Sequence, residues 1–282
     1  MRIVPVSLAA AALLAAGCAG SGATKGQRTV VAAFYPLAFA AAAIGGSKVH
    51  VENLTPPGAE PHDVELSPRA VGRLQQADLV LYLSHGFQPA VEDAAKEAQG
   101  TRLDALEGLN LREGSEGTDP HVWLDPTLFA RIARRIGTAL GRPARAAAFE
   151  ARLKKLDGEY REGLRDCARR DFVTSHAAFG YLAARYGLHQ IPITGIDPEA
   201  QASPQRLRDL VELVRREGAT TVFFERLVSP RLAETVAREA GAKAEVLDPI
   251  EGLTSSEQER GDDYFTLMRR NLSQLRAALG CR

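Results

Sequence analysis

The chain lacks an excess of charge, an excess of glycine or proline, and a short internal repeat. Its 35 acidic and 35 basic residues balance, so nothing in the composition indicates a nucleic-acid partner or an acidic substrate. Glycine (25) and proline (15) are too few to indicate disorder. Without a fixed short period, a solenoid or propeller is not expected. At 282 residues, the length favours two domains of ordinary size.

The N-terminus differs in kind from the rest of the chain. One basic residue, Arg2, precedes an apolar stretch over residues 3–16, which is too short to span a bilayer and is typical of a secretory signal. Residues 14–18, LAAGC, resemble a bacterial lipobox and predict a signal peptide over 1–17 with a lipid on Cys18. A plain signal peptide before an unmodified cysteine is the alternative. Residues 18–28 then have the composition of a flexible tether.

Only two cysteines remain after Cys18, and both would lie in an oxidising compartment if the chain is exported. An even count in that setting favours a disulfide between Cys167 and Cys281. The bridge would hold the C-terminal end, which otherwise frays. Two unrelated buried thiols are the alternative.

Short β-rich runs alternate with helical stretches in both halves of the chain. Strands are predicted at 29–34, 48–54, 78–84, 102–106, 171–175, 190–196, 220–225 and 243–247. Helices are predicted at 36–44, 68–76, 89–98, 127–140, 178–186, 203–217, 229–240 and 262–279. This alternation predicts an α/β fold with two lobes, each containing a mainly parallel sheet.

A long helix is predicted between the two halves. From Phe149 to Leu164, apolar residues recur every three or four positions, while the opposite face is almost entirely charged. We therefore expect an N-terminal lobe over 29–142, a linking helix over 143–168 and a C-terminal lobe over 169–282. Ligands of parallel sheets bind at the carboxyl ends of the strands, which in two lobes can face each other across a cleft.

Four potential metal ligands follow strands, two in each lobe. His121 lies in the stiff segment DPHVWLDP (119–126), which contains the only tryptophan. His62 follows the second strand, His176 follows the strand at 171–175, and Asp248 follows the strand at 243–247. Imidazole and carboxylate suit a tetrahedral Zn²⁺ site. Taken singly, each histidine has an ordinary alternative as a hydrogen-bonded loop residue.

The other candidate side chains are predicted to have ordinary roles. His50, His85 and His189 lack the preceding acidic residue and proline that mark His62 and His121. Asp125 and Asp197 have the sequence context of turn residues.

Five segments resemble the metal-binding solute receptors of ABC importers, the zinc- and manganese-uptake lipoproteins. They are GAEPHDVELSP (58–68), DPHVWLDP (119–126), FVTSHAAFGYLAARYGL (172–188), TTVFFERLVSPRLAETVAREAGAK (220–243) and VLDPIEGL (246–253). The resemblance implies two α/β lobes joined by one long helix, with the metal in the cleft. It also implies the ligands His62, His121, His176 and Asp248, and as partners a permease and an ATPase.

Two positions depart from the family pattern. Zinc receptors often carry a histidine-rich loop before the central motif, but residues 107–118 contain no histidine. The residue after the third ligand is commonly Asp and here is Ala177, so a hydrogen-bond partner for His176 must come from elsewhere. The acidic residues Glu60 and Glu225 match family positions and are predicted to lie beside the ligands or to replace one.

These features predict a monomeric, extracytoplasmic, lipid-anchored receptor that captures Zn²⁺, not an enzyme. Three imidazoles and one carboxylate favour Zn²⁺ over Mn²⁺, which prefers more oxygen ligands, although a manganese receptor remains the closest alternative. A secreted zinc hydrolase is less favoured because neither HExxH nor GxSxG occurs in the chain. A surface adhesin is the third alternative. Affinity is expected to fall below about pH 6.5, the usual pKa of histidine.

Overall fold

The computed structural model of this chain describes residues 26–114 and 117–282. The predicted signal peptide, the lipidation site Cys18 and most of the predicted tether lie outside the described residues. Within these ranges, no helix has the length and apolar character that crossing a membrane requires.

The first lobe is built on a parallel four-stranded sheet with the strand order β2-β1-β3-β4. Its strands are β1 (Arg28–Ala32), β2 (Val49–Asn53), β3 (Leu79–Tyr82) and β4 (Thr101–Asp104). The helices that connect them are α1 (Tyr35–Gly45), α2 (Pro68–Gln75) and α3 (Pro89–Lys96). Residues 30–32 of β1 and 79–81 of β3 are apolar and fully buried, as expected for strands covered on both faces.

The segment between β4 and the next helix differs from the predicted polar loop. It contains a short antiparallel ribbon of β5 (Glu113–Gly114) and β6 (Gly117–Thr118). Two long helices follow, α4 (Pro126–Leu140) and α5 (Pro143–Gly163). The linking helix therefore ends at Gly163, before the predicted boundary at 168. Cys167 instead takes part in an antiparallel bridge with Cys281, which requires extended backbone.

The second lobe repeats the parallel arrangement with the strand order β10-β9-β7-β8. Its strands are β7 (Asp171–Thr174), β8 (His189–Pro192), β9 (Thr221–Phe224) and β10 (Lys243–Val246). Its helices are α6 (Gly180–Tyr186), α7 (Pro204–Arg216), α8 (Arg231–Ala240), α9 (Ser255–Glu259) and α10 (Tyr264–Leu279). β8 is shorter than predicted because its partner β7 ends at Thr174.

Proline and small polar residues fix where many helices begin. Proline occupies one of the first two positions of α1, α2, α3, α4, α5 and α7, where its missing N–H costs nothing. The side chains of Ser67, Asp125, Ser203 and Asp263 accept hydrogen bonds from the first turns of their helices.

The helix α5 joins the lobes by packing against α1, α4 and α10. Its 21 residues span about 31 Å. The Tyr160 hydroxyl donates to the Met268 carbonyl at 2.6 Å. The Asp157 carboxylate accepts hydrogen bonds from Arg185 and Tyr186 of α6. The Cys167–Cys281 disulfide is present, as predicted, and fastens the end of α10 to the entrance of the second lobe.

Two clusters of buried apolar residues stabilise the fold. We call the first the large core; it runs from β1 and β3 through α4, α5 and α10 to one face of the second sheet. The second, the outer core, lies between the opposite face of that sheet and α7 and α8. The outer core consists of Val173, Ile193, Leu210, Val214, Val222, Ala233, Val236 and Ala237.

Candidate metal centre

His121 is held by the acidic residue two positions before it. Pro120 leads into a 3₁₀ turn over Val122–Leu124, and Asp119 Oδ1 accepts from both the backbone N–H of His121 (3.0 Å) and its Nδ1 (2.8 Å). Gly180 of the second lobe packs closely against Asp119, because a Cβ at position 180 would lie 2.7 Å from Asp119 Oδ2. Only glycine therefore allows this close approach.

His62 lies in the loop between β2 and α2, at the edge of the site. Glu60 Oε2 accepts a hydrogen bond from the His62 backbone N–H at 3.0 Å, which fixes the loop locally. The imidazole packs edge-on against Phe87, with ring centroids 4.5 Å apart. It also borders a cavity of about 380 Å³ that His85 and Asp197 help to line. His62 is thus the ligand candidate that faces an approach route.

His176 follows β7 directly and is held through its carbonyl and its ring. Its backbone carbonyl accepts from Thr174 Oγ1 (2.7 Å) and Gln190 Nε2 (2.8 Å). Its Nδ1 lies 2.7 Å from Glu225 Oε1. Glu225 therefore supplies the partner that Ala177 does not.

The three imidazoles meet a carboxylate from the second lobe, that of Glu251. One ligand atom from each of His62, His121, His176 and Glu251 lies within 4.8 Å of the others. Glu251 Oε1 is 3.1 Å from His121 Nε2, 3.4 Å from His62 Nε2 and 3.9 Å from His176 Nε2. The Nε2 atoms of His121 and His176 are 3.4 Å apart. Three of the four side chains are buried, and His62 is 11% exposed.

The structure does not bring Asp248 into this cluster, and the carboxylate found there is that of Glu251. Asp248 Oδ2 instead forms an ion pair with Arg226, while Oδ1 accepts from the Ile250 backbone N–H at 2.7 Å. Both oxygens are therefore directed away from the imidazoles. The motif VLDPIEGL contains two carboxylates three residues apart, and Glu251 was the second, unused signal in it.

The imidazole–carboxylate contacts define the charge of the cluster. Burial alone lowers the pKa of His121, but its hydrogen bonds to Asp119 and Glu251 outweigh burial and raise that pKa to about 9. Burial raises the pKa of Glu251, but hydrogen bonds from His121 and His62 hold it well below its usual range. Without metal at neutral pH, His121 is therefore an imidazolium whose two N–H groups face carboxylates. A metal must displace the proton on Nε2.

Glu60 contributes a carboxyl group whose pKa is raised, whereas the pKa of Glu251 is lowered. Burial and the negative charge of Glu251 raise the pKa of Glu60 to about 9, so it is protonated at neutral pH without metal. Within the described residues, its Oε1 has no hydrogen-bond partner. Glu60 thus lies beside the cluster as a neutral group with a free oxygen.

The remaining predicted residues have structural roles. Asp125 caps α4 by accepting from the Thr127 backbone N–H at 2.7 Å. Asp197 accepts from the Glu199 backbone N–H at 2.8 Å, as a turn residue does. His189 is exposed and pairs with Asp171 at 3.0 Å. The sequence did not single out Asp119, although its position two residues before His121 in DPH is a local signal.

Similarity to known proteins supports the same fold and identifies the family. A family profile described as zinc-uptake complex component A, periplasmic (ZnuA) matches residues 30–278. The high-affinity zinc uptake system protein ZnuA of Bacillus subtilis is 34% identical over 305 residues, which cover 96% of each chain. The zinc-binding protein AdcA of Streptococcus pyogenes is 35% identical over 288 residues. That match covers 89% of this chain and 56% of AdcA, so this chain spans little more than half the length of that relative.

Solved structures give the same result. The Zn(II)-bound ZnuA-like domain of Streptococcus pneumoniae AdcA has a TM-score of 0.79 at 34% identity, covering 90% of this chain and 99% of that one. The laminin binding protein of Streptococcus agalactiae, described as having adhesin and metal transporting activity, has a TM-score of 0.82 at 31% identity with the same coverage. With most of its length matched by the profile and by relatives above 30% identity, this chain belongs to the ZnuA family.

Proposed function

We propose that this chain is the extracytoplasmic solute-binding component of an ABC importer, which captures Zn²⁺ and delivers it to a membrane permease. The ligands would be His62, His121, His176 and Glu251. The family and the relatives named for zinc uptake support the class of protein. The observation that carries the choice of metal is the spacing of the four ligand atoms.

That spacing matches a tetrahedral zinc site. Four ligands at zinc distances of 2.0–2.1 Å lie about 3.3 Å apart. Four of the six separations range from 3.1 to 3.9 Å and all six are within 4.8 Å, so side-chain shifts would complete the tetrahedron. The carboxylates of Asp119 and Glu225 hold the Nδ1 atoms of two imidazoles and leave Nε2 facing the centre. Such partners orient metal-bound histidines and increase their basicity.

The composition of the cluster supports zinc over manganese. Three nitrogens and one carboxylate oxygen suit Zn²⁺, whereas Mn²⁺ prefers more oxygen ligands and binds more weakly in the general affinity order. Four protein ligands also leave no open position of the kind that a catalytic zinc uses, which supports a binding protein.

The proposal includes the membrane and the partners. Cys18 would carry the lipid that holds the mature chain at the outer face of the cytoplasmic membrane, and a permease with its ATPase would receive the metal. The lipobox-like residues 14–18 support the anchor. Replacing Cys18 by Ala is expected to move the protein from membranes to the soluble fraction, and continued membrane association would remove the anchor from the proposal.

Calorimetric titration of metal-stripped protein with Zn²⁺ and Mn²⁺ tests the function. We expect one zinc per chain, weaker manganese binding and a melting temperature that rises with zinc. His121→Ala, His176→Ala and Glu251→Ala should each weaken zinc binding at least about 100-fold, because loss of a ligand exceeds loss of its hydrogen-bond partner. His189→Ala is the matched control and should bind as wild type does. Tighter binding of manganese, or an unaffected Glu251→Ala, would contradict the proposal.

A further inference from the structure

The metal-facing carboxylate of Glu251 follows a strained backbone position. Ile250 has a φ of 60° and is fully buried. Left-handed backbone is a genuine outlier for a β-branched residue, because its side chain crowds the neighbouring carbonyl. Such a conformation persists only where the surrounding structure determines it, and it often occurs at ligand sites. The residues that impose it therefore also determine where Glu251 points.

Three side chains hold the turn formed by residues 248–251. Asp248 Oδ1 accepts from the Ile250 backbone N–H at 2.7 Å, across the strained position. Asn271 of α10 accepts from the Asp248 backbone N–H (3.0 Å) and donates to its carbonyl (2.6 Å). Trp123, two residues after the ligand His121, donates its indole N–H to the Pro249 carbonyl at 2.7 Å. The turn is thus tied to both lobes.

Arg226 completes this arrangement from outside the turn. Its guanidinium forms ion pairs with Asp248 Oδ2 and with Glu257 of α9. Both carboxylates are buried, while Arg226 is 26% exposed. With Oδ2 held by Arg226, Asp248 can present only Oδ1 to the Ile250 N–H. Arg226 therefore fixes the rotamer of the side chain that stabilises the turn.

Glu251 depends on the turn for its direction. Among the described residues, the hydrogen bonds of its carboxylate go to His121 and His62, which are themselves metal-facing groups. Once a metal occupies the imidazole nitrogens, those bonds are exchanged for coordination. The direction of Oε1 then rests on the backbone at residues 250 and 251.

We propose that Arg226 is a positioning residue for the metal: through Asp248 it holds the strained turn at Ile250 and so aims Glu251 Oε1 at the three imidazoles. This inference rests on the proposed function and deepens it. A loosened turn lets the carboxylate leave the metal more often. Zinc then dissociates faster although every ligand is still present.

A double-mutant cycle tests this action through Glu251. The rate of zinc dissociation into excess chelator is measured for wild type, Arg226→Ala, Glu251→Ala and the double variant. We expect Arg226→Ala to raise the rate about 10- to 100-fold in the presence of Glu251, the range typical of residues that orient metal ligands. In the Glu251→Ala background it should change the rate less than twofold. Arg238→Ala, an exposed arginine of the same lobe, is the control and should leave the rate unchanged.

Two further variants keep the proposal falsifiable if Arg226→Ala folds poorly, and a Co²⁺ spectrum adds a third test if it folds. Asp248→Asn keeps an oxygen for the Ile250 N–H but removes the charge that Arg226 holds, so it should also speed dissociation. Arg226→Lys should recover part of the wild-type rate. With Co²⁺ as a probe, the visible absorption of Arg226→Ala should shift towards that of Glu251→Ala, a change that general destabilisation does not cause.

The outcomes separate this inference from the function on which it rests. If wild type holds no zinc, the proposed function is overturned and the inference falls with it. If wild type holds zinc but Arg226→Ala has the same effect in both backgrounds, or no effect, only the inference is overturned. If Arg226→Ala raises the rate of zinc dissociation only when Glu251 is present, the inference is supported.

Discussion

The two lobes have parallel sheets of equal size, but they are buried differently. In the first lobe, all the buried residues of the central strands, Val30–Ala32 of β1 and Leu79–Leu81 of β3, belong to the large core. In the second lobe, alternate residues of β7 and β9 belong to different clusters. Phe172 and Phe223 face the large core, whereas Val173 and Val222 face the outer core beneath α7 and α8. The second lobe therefore has a layer that is stabilised separately.

This difference indicates which parts of the molecule support the metal site. Trp123, two residues after His121, and Ile250, next to Glu251, both belong to the large core, as does Ala178, two residues after His176. None of the eight outer-core residues adjoins a ligand in the sequence. Regions with few buried apolar contacts open at a lower free-energy cost than the main core. We therefore expect the outer layer to open locally without disturbing the site.

The largest effect is expected from removing the disulfide that fastens the second lobe. Cys167→Ser with Cys281→Ser frees a loop of 114 residues and should lower the free energy of unfolding by up to about 4–5 kcal/mol in the chain-entropy model. Denaturant unfolding of the variant and of wild type, each with and without reductant, measures it. Equal stability of oxidised wild type and variant would contradict the structural role of the bridge.

A pair of leucine substitutions separates the two cores. Leu156 of α5 and Leu210 of α7 are both fully buried, the first in the large core and the second in the outer core. Replacement of either by Ala should cost about 2–5 kcal/mol. Leu156→Ala should reduce hydrogen-exchange protection throughout the chain, and Leu210→Ala chiefly that of α7 and α8. Faster zinc dissociation in Leu210→Ala would show that the outer layer is not independent of the site.

The pH dependence of stability and of zinc affinity reports the charge of His121. Because the folded pKa of His121 is raised to about 9, its stabilising effect on metal-free protein is complete below about pH 6.5 and is lost as pH rises through 9. The loss should be on the order of 3 kcal/mol. Zinc affinity should instead rise about tenfold per pH unit up to about pH 9, since one proton leaves. This revises the midpoint of about 6.5 expected from the sequence.

Denaturant unfolding of chelator-treated protein between pH 6 and 9 measures the first effect, and zinc titration over the same range measures the second. His121→Gln should remove the His121 part of the pH dependence of stability and leave the part due to Glu60, whereas the exposed His189→Gln should retain both parts. A stability that rises between pH 7 and 9 would contradict the imidazolium at His121.

The smallest effects are expected from changing the hydrogen-bond partner of one ligand histidine in each lobe. Asp119→Asn in the first lobe and Glu225→Gln in the second each weaken the acceptor for a metal-facing imidazole. Both should reduce zinc affinity about 10- to 100-fold, measured by competition with a chelator. Asp171→Asn is a matched control because Asp171 pairs with His189 at 3.0 Å away from the site. A loss in only one of the two variants would show that one lobe dominates binding.

The alternation of strands and helices could be predicted because its signals are local. Pro143 and Gly141 mark the boundary between α4 and α5, and Ser67 and Ser203 accept the bonds expected of helix caps. Elements without a periodic pattern were missed. The ribbon β5–β6 has two residues in each strand, and α9 has five, although the Thr254–Glu257 capping box marked its start.

The sequence by itself determined the α/β alternation, the cysteine pair and three of the four side chains that meet at the site. Each of the three histidines has a local signal: His62 and His121 follow an acidic residue and a proline, and His176 lies two residues after β7. The tertiary structure alone decided between Asp248 and Glu251, since both follow β10 within one short turn. Arg226, distant in sequence, takes Oδ2 of Asp248, and the left-handed backbone at Ile250 turns Glu251 towards the imidazoles. Neither the partner of a buried carboxylate nor a strained φ can be read from neighbouring residues, because contacts made on folding impose both.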